Sequence, residues 1–270
     1  ISIGVQGGFA MNIRELEGEV AVVTGSDSGI GQATAVALAR EGVDVMITYL
    51  EDAEGAEQTR AAVAHNGQRA AVVQFDQRRP EDVHRLFDET QKALGRPTIL
   101  INNAGIDSTG KVVKEMPIEE WDNEIRTNLY GPFFCCQQFI RGLDGSDRHG
   151  VIVNITSVHD EIPRAGSSGY DCAKSALKNL TKTLALELAT DNINVNNLAP
   201  GMVLTPMNQA AVDNPEIREQ QVQSIPVKRA AEPEEIANAA VFLCSPRARY
   251  VHGATFYVDG GLMQNQGQGA

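Results

Sequence analysis

Short apolar runs alternate along the chain with longer stretches whose apolar residues recur at helical spacing. Most of the runs are continuous, as is typical of strands buried on both faces of a parallel sheet. The alternation predicts the α/β class, with about seven parallel strands in one doubly wound sheet and helices on both faces. The predicted strands are 20–23, 43–48, 70–75, 98–101, 151–155, 193–197 and 254–258, and the predicted helices are 32–41, 53–66, 80–94, 118–142, 169–190 and 233–245.

The rhythm continues without a linker, a repeat or a block of like charge, so 270 residues are expected to form one large domain. Residues 202–228, rich in Gln, Asn and Pro, interrupt it and are expected to form a substrate loop or lid. Residues 1–10 precede Met11 and begin with Ile, which predicts a leader or appended segment outside a domain of residues 11–270.

Charge and cysteine content narrow the classes of partner. The 23 Lys and Arg against 35 Asp and Glu give a net charge of −12, which disfavours nucleic acid and anionic membrane surfaces as partners. No apolar run approaches the ~18 residues of a membrane span. The four cysteines form no CxxC or Cys/His cluster, so we expect no metal site and a cytoplasmic, reducing location.

A glycine-rich turn with the spacing GxxxGxG follows the first predicted strand and opens the first predicted helix. Glycines at such a turn allow a pyrophosphate to approach the free N–H groups of the helix. Glycine also closes tight turns that bind nothing, but the position between strand and helix favours a Rossmann-type dinucleotide site. The candidate cofactor-binding residues here are Gly25, Ser28, Gly29, Ile30 and Gly31.

The end of the second strand determines which nicotinamide cofactor binds, through a carboxylate for the ribose or an Arg for a 2′-phosphate. The chain has Tyr49 and Leu50 there, followed by Glu51 and Asp52, with no basic residue. This composition favours NAD and leaves NADP open. Asp76, at the end of the third strand, is a candidate contact for the adenine edge.

Tyr170 and Lys174 lie four positions apart at the start of a predicted helix and therefore share a face. A lysine ammonium beside a phenol favours the phenolate, which suits a general acid/base for an alcohol and carbonyl pair. Ser157 follows the fifth strand, at the sheet edge that holds ligands in such folds. Its hydroxyl is placed to hydrogen-bond a developing alkoxide.

Further candidates follow other strands at the same sheet edge. Asn128 lies in the helical pattern after the fourth strand, where a lone Asn is more often a local hydrogen-bonding residue. The candidates for cofactor contact are Asn103, Ala104 and Gly105 after the fourth strand, and Pro200, Gly201 and Thr205 after the sixth.

Together these motifs resemble the short-chain dehydrogenase/reductase family over about residues 18–262. The resemblance rests on TGSDSGIG at 24–31, NNAG at 102–105, Asn128, Ser157, Tyr170, Lys174, PGMVLT at 200–205 and VHGATFYVDGG at 251–261. It implies that Tyr170 is the catalytic acid/base and that Ser157 positions the substrate oxygen. Lys174 would hold the nicotinamide ribose and lower the Tyr pKa, and Asn128 would anchor a relay water. A homotetramer is also implied.

The segment from Ser157 to Pro163 is similar to the bacterial glucose 1-dehydrogenases, which oxidise a sugar with NAD or NADP. Those enzymes often carry Arg where Leu50 stands. His159, Asp160, Glu161 and Arg164 are expected at the pocket mouth, where they suit a sugar or polyol. His159 is also a candidate substrate contact with Ser157 and Tyr170.

The alternatives are a 3-oxoacyl-carrier-protein reductase or broad ketone reductase, and a non-catalytic dinucleotide sensor. An acidic chain is a poor match for an acidic carrier protein, and a sensor has no need of Tyr170 or Lys174.

Overall fold

The computed structural model describes residues 14–265 as a seven-stranded, fully parallel sheet with helices on both faces. The predicted leader at 1–10 lies outside the described residues. The strands are β1 Val20–Val23, β2 Asp44–Tyr49, β3 Ala70–Gln74, β4 Ile99–Asn102, β5 Gly150–Ile155, β6 Ile193–Pro200 and β7 Thr255–Val258.

Nine α-helices connect and extend these strands within the described range. They are α1 Gly29–Arg40, α2 Ala53–His65, α3 Pro80–Ala93, α4 Ile118–Ile125, α5 Gly131–Leu143, α6 Ser168–Glu187, α7 Gln209–Asp213, α8 Pro215–Gln221 and α9 Pro233–Cys244. One buried apolar cluster packs α1, α2 and α9 on one face of the sheet, and a second packs α3, α5 and α6 on the other.

The strand order is β3-β2-β1-β4-β5-β6-β7, so the direction of winding reverses between β1 and β4. In doubly wound sheets a ligand crevice forms at this reversal, outside the carboxyl ends of the strands. The turns after β1, β4, β5 and β6 open toward that edge, which places the glycine turn beside the segments that carry Asn103 and Ser157.

The helix predicted over 118–142 is divided in the structure. A π-helical turn, Arg126–Tyr130, separates α4 from α5. Pro132 explains the change, because it has no N–H to offer the carbonyl four residues earlier and its ring crowds that carbonyl. The residue that carries this carbonyl is Asn128, so the widened turn lies at a predicted site residue.

Residues 202–228 contain α7 and α8 and three-residue helical turns at Pro206–Asn208 and Val222–Ser224. A small cluster of buried side chains that includes Val222 and Ile225 anchors the end of the segment against Met202 and Leu262. Within 14–265, no helix is both long and apolar enough to cross a membrane.

Candidate active site

The glycine turn brings the backbone close to its neighbours at the amino end of α1. A side chain at Gly31 would begin 2.1 Å from the Gly25 carbonyl oxygen, and one at Gly25 would begin 2.9 Å from Ala104 Cα. Gly25 and Gly29 also have φ values of +59° and +54°, which L side chains rarely adopt. Glycine is therefore required here on steric grounds.

The N-terminus of α1 has free donors for an anion. Ser28 is the N-cap residue and makes no side-chain capping bond, and the first turn carries no acidic residue. Backbone N–H groups and the helix dipole at such an end favour a phosphate group. The turn fits the pyrophosphate of a dinucleotide, and Thr205 packs within 3.2 Å of a side chain built at Gly29.

The loop after β4 is fastened to this turn through Thr24. The Thr24 hydroxyl accepts hydrogen bonds from the backbone N–H of Asn103 and of Ala104, both at 3.0 Å. The Asn103 amide in turn donates to the carbonyls of Thr24 and Gly25 at 3.0 and 2.8 Å. Two of the predicted cofactor contacts thus also join the two halves of the sheet.

Sequence reasoning did not identify Gln77, which joins a third segment to the same loop. Its amide donates to the carbonyls of Ala104 and Thr127 at 3.0 and 2.8 Å. Gln77 lies in a polar stretch after β3, and only these long-range contacts distinguish it from a surface residue.

The residues after β2 and β3 differ in exposure. Leu50 is 44% exposed, and Tyr49 is partly buried beneath the strand end. The carboxylate of Asp76 is bound by the Arg78 guanidinium at 2.7 to 2.8 Å. That hydrogen bond lowers the pKa of Asp76, so it is a paired carboxylate at this edge.

Ser157, Tyr170 and Lys174 come together at the carboxyl end of β5. Tyr170 and Lys174 lie on successive turns of α6, with the Lys174 Nζ 5.5 Å from the centre of the phenol ring. The Ser157 hydroxyl lies close enough to the Tyr170 phenol to lower its pKa. Lys174 Nζ donates to the Ile155 carbonyl at 2.9 Å, which holds it against the end of the strand.

The pKa values of both groups are shifted from their ordinary values. Burial raises the pKa of Tyr170 to about 12, although the neighbouring Ser157 hydroxyl acts to lower it. Burial also lowers the pKa of Lys174 to about 8. The loss of hydration is thus the largest effect on both groups, and the lowering of the phenol pKa by Lys174 stays a prediction.

Asn128 is fully buried in the π-helical turn, and its side chain binds the loop after β4. Its Oδ1 accepts from the Ile106 N–H at 3.1 Å, and its Nδ2 donates to the Ile106 carbonyl at 3.0 Å. Gly105 separates Asn128 from Lys174, since a side chain there would begin 2.7 Å from Asn128 Oδ1 and 3.7 Å from Lys174 Nζ.

Two of the four residues expected at the pocket mouth, His159 and Arg164, lie close to Tyr170. The His159 ring is 6.2 Å from the Tyr170 ring, and its Nδ1 donates to the Ile162 carbonyl at 2.8 Å. Arg164 binds Asp107 and Ser108 across the opening at 2.8 and 2.9 Å. Asp107 raises the pKa of Tyr170, and Arg164 lowers it.

The expectation for Asp160 and Glu161 is wrong. Asp160 is buried, and its carboxylate binds Lys178 and Tyr257. Glu161 pairs with the same lysine from the solvent side. Both carboxylates therefore pair with Lys178, which lies one helical turn beyond Lys174.

Pro200 is the last residue of β6, and Gly201 follows it where β7 passes closely. A side chain at Gly201 would begin 2.9 Å from Asp259 Cα. A cleft of about 480 Å³ begins at Ser28 and Gly29 and runs along α1 and α9 as far as Glu234. Ser157, Tyr170 and Lys174 do not line it, so it adjoins only the phosphate end of the candidate site.

A family model described as enoyl-(acyl carrier protein) reductase matches residues 24–263. The chain belongs to the short-chain dehydrogenase/reductase family. As a short-chain dehydrogenase/reductase it is an NAD(P)-dependent oxidoreductase, and the doubly wound sheet is the architecture of its solved relatives.

Curated relatives of this short-chain dehydrogenase/reductase have different names at similar identity. Glucose 1-dehydrogenase 2 of Bacillus subtilis is 36% identical, over 92% of this chain and 96% of its own. The 3beta-hydroxysteroid dehydrogenase 1 of Eggerthella lenta is 40% identical, over 92% of this chain and 95% of its own.

Solved structures agree with this fold. The acetoin dehydrogenase from Enterobacter cloacae is 38% identical with a TM-score of 0.84, covering 93% of this chain and 97% of its own. An Agrobacterium tumefaciens structure with bound NADP is 35% identical, also with a TM-score of 0.84, over 94% and 99%.

Proposed function

We propose that this short-chain dehydrogenase/reductase interconverts an alcohol and a carbonyl at Ser157, Tyr170 and Lys174. The observation that carries the proposal is their convergence at the carboxyl end of β5, on the same sheet edge as the glycine turn. The phenol and a second hydroxyl are thus held together where a cofactor bound at that turn would place its reactive end.

The cofactor supplies or accepts a hydride when bound. The chain provides the N-terminus of α1 for the pyrophosphate, and Asn103 to Gly105, Pro200, Gly201 and Thr205 are the further proposed cofactor contacts. Lys174, with its Nζ 5.5 Å from the centre of the phenol ring, is the proposed ribose contact. We infer a preference for NAD, because Tyr49, Leu50, Glu51 and Asp52 offer no positive charge to a 2′-phosphate.

Proton movement is assigned to Tyr170. In carbonyl reduction its O–H donates the proton to the substrate oxygen, while the Ser157 hydroxyl hydrogen-bonds the same oxygen. Because burial raises the pKa of Tyr170 to about 12, the phenol carries its proton at neutral pH and is ready to donate. In alcohol oxidation the phenol must lose that proton first, so the rate rises with pH. Asn128 is proposed to anchor a relay water beside Lys174.

The polar opening favours a hydroxylated substrate. Arg164, Asp107 and the hydroxyls of Ser108 and Ser167 form one hydrogen-bonded group there, and the first two act on Tyr170. We propose a sugar or polyol, recognised by hydrogen bonds from this group and from His159. Residues 202–228 are proposed to cover the bound substrate.

A ketone or 3-oxoacyl thioester is the second candidate. Met207 and Val212 in the proposed cover are 48% and 39% exposed, which gives an apolar surface to a less polar substrate. A direct comparison separates the two: initial rates with NAD⁺ and NADP⁺ over sugars and polyols, and with NADH and NADPH over ketones and 3-oxoacyl thioesters. Oxidation of an aldose supports a sugar or polyol as substrate. No turnover of sugars together with reduction of ketones supports a ketone or 3-oxoacyl thioester.

The catalytic assignment is tested with Tyr170→Phe. This change removes the transferable proton and keeps the ring, so we expect turnover to fall by about 10²–10⁴-fold. Cofactor affinity, measured by fluorescence titration, should change little. The fully exposed Tyr250, replaced by Phe, is the matched control and should retain wild-type turnover. Turnover within a few-fold of wild type in Tyr170→Phe would refute the assignment.

We further propose a cytoplasmic homotetramer. All four cysteines are free, and Cys135, Cys136 and Cys244 are buried, as suits a reducing compartment. Three exposed aromatic residues, Trp121 on α4, Tyr130 on the π-helical turn and Phe133 on α5, are the proposed contacts with other copies.

A further inference from the structure

A buried polar cluster lies one helical turn from Lys174. It consists of Asp160, which follows Ser157 by three residues, Lys178 on α6 and Tyr257 on β7. The Asp160 side chain is fully buried and that of Lys178 is 10% exposed. Sequence patterning does not predict charged side chains there, because such groups are rarely buried without a partner.

The side chains of the cluster bind one another through Oδ1 of Asp160, whereas Oδ2 of the same carboxylate is buried without a hydrogen-bond partner. Tyr257 O–H donates to Asp160 Oδ1 at 2.8 Å, and Lys178 Nζ donates to the same oxygen at 3.4 Å. Lys178 Nζ also donates to the Tyr257 oxygen at 2.8 Å and to Glu161. A buried carboxylate and ammonium are thus held by a strand, a loop and a helix that meet at this point.

The main chain of Asp160 joins the same elements. Its N–H donates to the Ser157 carbonyl at 2.9 Å, and its carbonyl accepts from the Ser175 hydroxyl at 3.0 Å. Ser175 is adjacent to Lys174 on α6. The N–H of His159 donates to the Ser157 hydroxyl oxygen at 3.1 Å, which orients the hydroxyl within the same short turn.

We propose that Asp160 is a positioning residue for the Ser157/Tyr170/Lys174 site. Its main chain fixes the Ser157 turn against α6, and its carboxylate, held by Lys178 and Tyr257, sets the negative charge beside Lys174. The inference rests on the proposed function of those three residues.

The electrostatic part of this role has a definite sign. The Asp160 charge raises the pKa of Lys174 against the larger lowering caused by burial. Asp107 and Asp171 raise the pKa of Tyr170, and Arg164 lowers it. Of the other polar groups around the pair, Lys178 lies on the next turn of α6, and Asn128, which faces Lys174 across Gly105, is neutral. Removing the Asp160 charge makes loss of the first proton from the Tyr170/Lys174 pair easier, whichever group releases it.

The test is the pH profile of kcat/KM for alcohol oxidation in Asp160→Asn. We expect the acid limb to move down by about 0.5–1 pH unit and kcat to fall about tenfold, with the cofactor Kd within about twofold of wild type. Glu161→Gln is the matched control. It removes the other carboxylate that pairs with Lys178, but the Glu161 side chain is 53% exposed to solvent. Its limb should stay at the wild-type pH.

Lys178→Gln provides a second variant should Asp160→Asn not fold. It keeps an amide donor for Asp160 but removes the compensating cation, so the limb should move to higher pH. A purely structural role lowers kcat without moving the limb, and an unmoved limb in both variants would overturn the inference. If instead Tyr170→Phe retains turnover, the proposed function itself fails.

Discussion

Leu50 stands at the end of β2 with its side chain exposed and its carbonyl accepting from the Gln74 amide. It is followed by Glu51 and Asp52, and Asp52 caps α2 through the N–H of Gly55 at 2.9 Å. The fixed cap holds a negative charge at the edge where a ribose would lie. A 2′-phosphate entering this region would meet two carboxylates and an apolar side chain.

Replacing Leu50 by Arg should therefore raise the affinity for NADP relative to NAD. A guanidinium gives the phosphate a charge-assisted partner, so we expect the ratio of the two Kd values to shift toward NADP by about tenfold, or about 1.4 kcal/mol. Binding titrations with both cofactors measure the ratio. Leu50→Gln adds polarity without charge and should leave it near the wild-type value; an unchanged ratio in Leu50→Arg would place the ribose elsewhere.

The candidate site residues that lie at one edge of the sheet share a local signature. Gly25, Gly29 and Gly31 follow a strand, and Tyr170 and Lys174 occupy one helix face, so spacing alone locates them. Asp160, Glu161 and Gln77 could not be located this way. Their partners are distant in sequence, as with Asp160 and Tyr257, and a polar residue in a loop is indistinguishable from a solvated one until the fold brings its partner.

At the scale of elements, α6 carries three buried polar side chains on successive turns that face the sheet: Lys174, Lys178 and Thr181. Thr181 joins a row of polar residues that lie in register across the strands, Asn102 on β4, Asn154 on β5, Asn197 on β6 and Thr255 on β7. Its hydroxyl accepts from Asn154 at 2.8 Å and donates to Asn197 at 2.6 Å. The helix is therefore fixed to the sheet by directional bonds as well as by apolar packing.

Thr181→Val tests this attachment. The change keeps the shape but leaves the buried amide of Asn154 and the carbonyl of Asn197 without that partner, so we expect a loss of about 1–3 kcal/mol in the free energy of unfolding. Urea denaturation measures it. Thr183→Val lies on the exposed face of the same helix and should change the free energy by less than about 0.5 kcal/mol. Equal effects at both positions would contradict the assignment.

Strand and helix types were predictable because buried parallel strands form continuous apolar runs. The boundaries of the strands and helices were less predictable. β6 extends to Pro200, three residues beyond the apolar run, because Leu198, Ala199 and Pro200 pair with β7. The break between α4 and α5 depends on Pro132, whose effect on a longer helical pattern is a matter of backbone geometry rather than hydrophobic period.

For the whole molecule, the exposed aromatic residues Trp121, Tyr130 and Phe133 lie on α4, the π-helical turn and α5. If α4 and α5 pack against a second copy, the contact supports the π-helical turn that carries Asn128. Assembly and the proposed proton relay would then share one structural element.

Light scattering after size exclusion tests the proposed assembly, with an expected mass about four times the 29.1 kDa of one chain. Phe133→Asp places a charge among the exposed aromatic residues of α4 and α5. It should reduce the mass of the assembly, because an unpaired carboxylate buried at the contact is costly. Gln58→Asp adds the same charge to the exposed face of α2 and should leave the mass unchanged. A monomeric wild-type protein would disprove the tetramer.

The polar row that fixes α6 also bears on how such enzymes diversify. Several buried bonds must break together before α6 can slide or turn, so mutations there are penalised through folding before they alter chemistry. The stretch 202–228 is anchored near its ends by a small apolar cluster, and we expect it to tolerate substitution better than α6. Substitutions in 202–228 can therefore change substrate specificity while the residues around α6 stay the same. Such a separation is consistent with relatives named for a sugar and for a steroid at comparable identity.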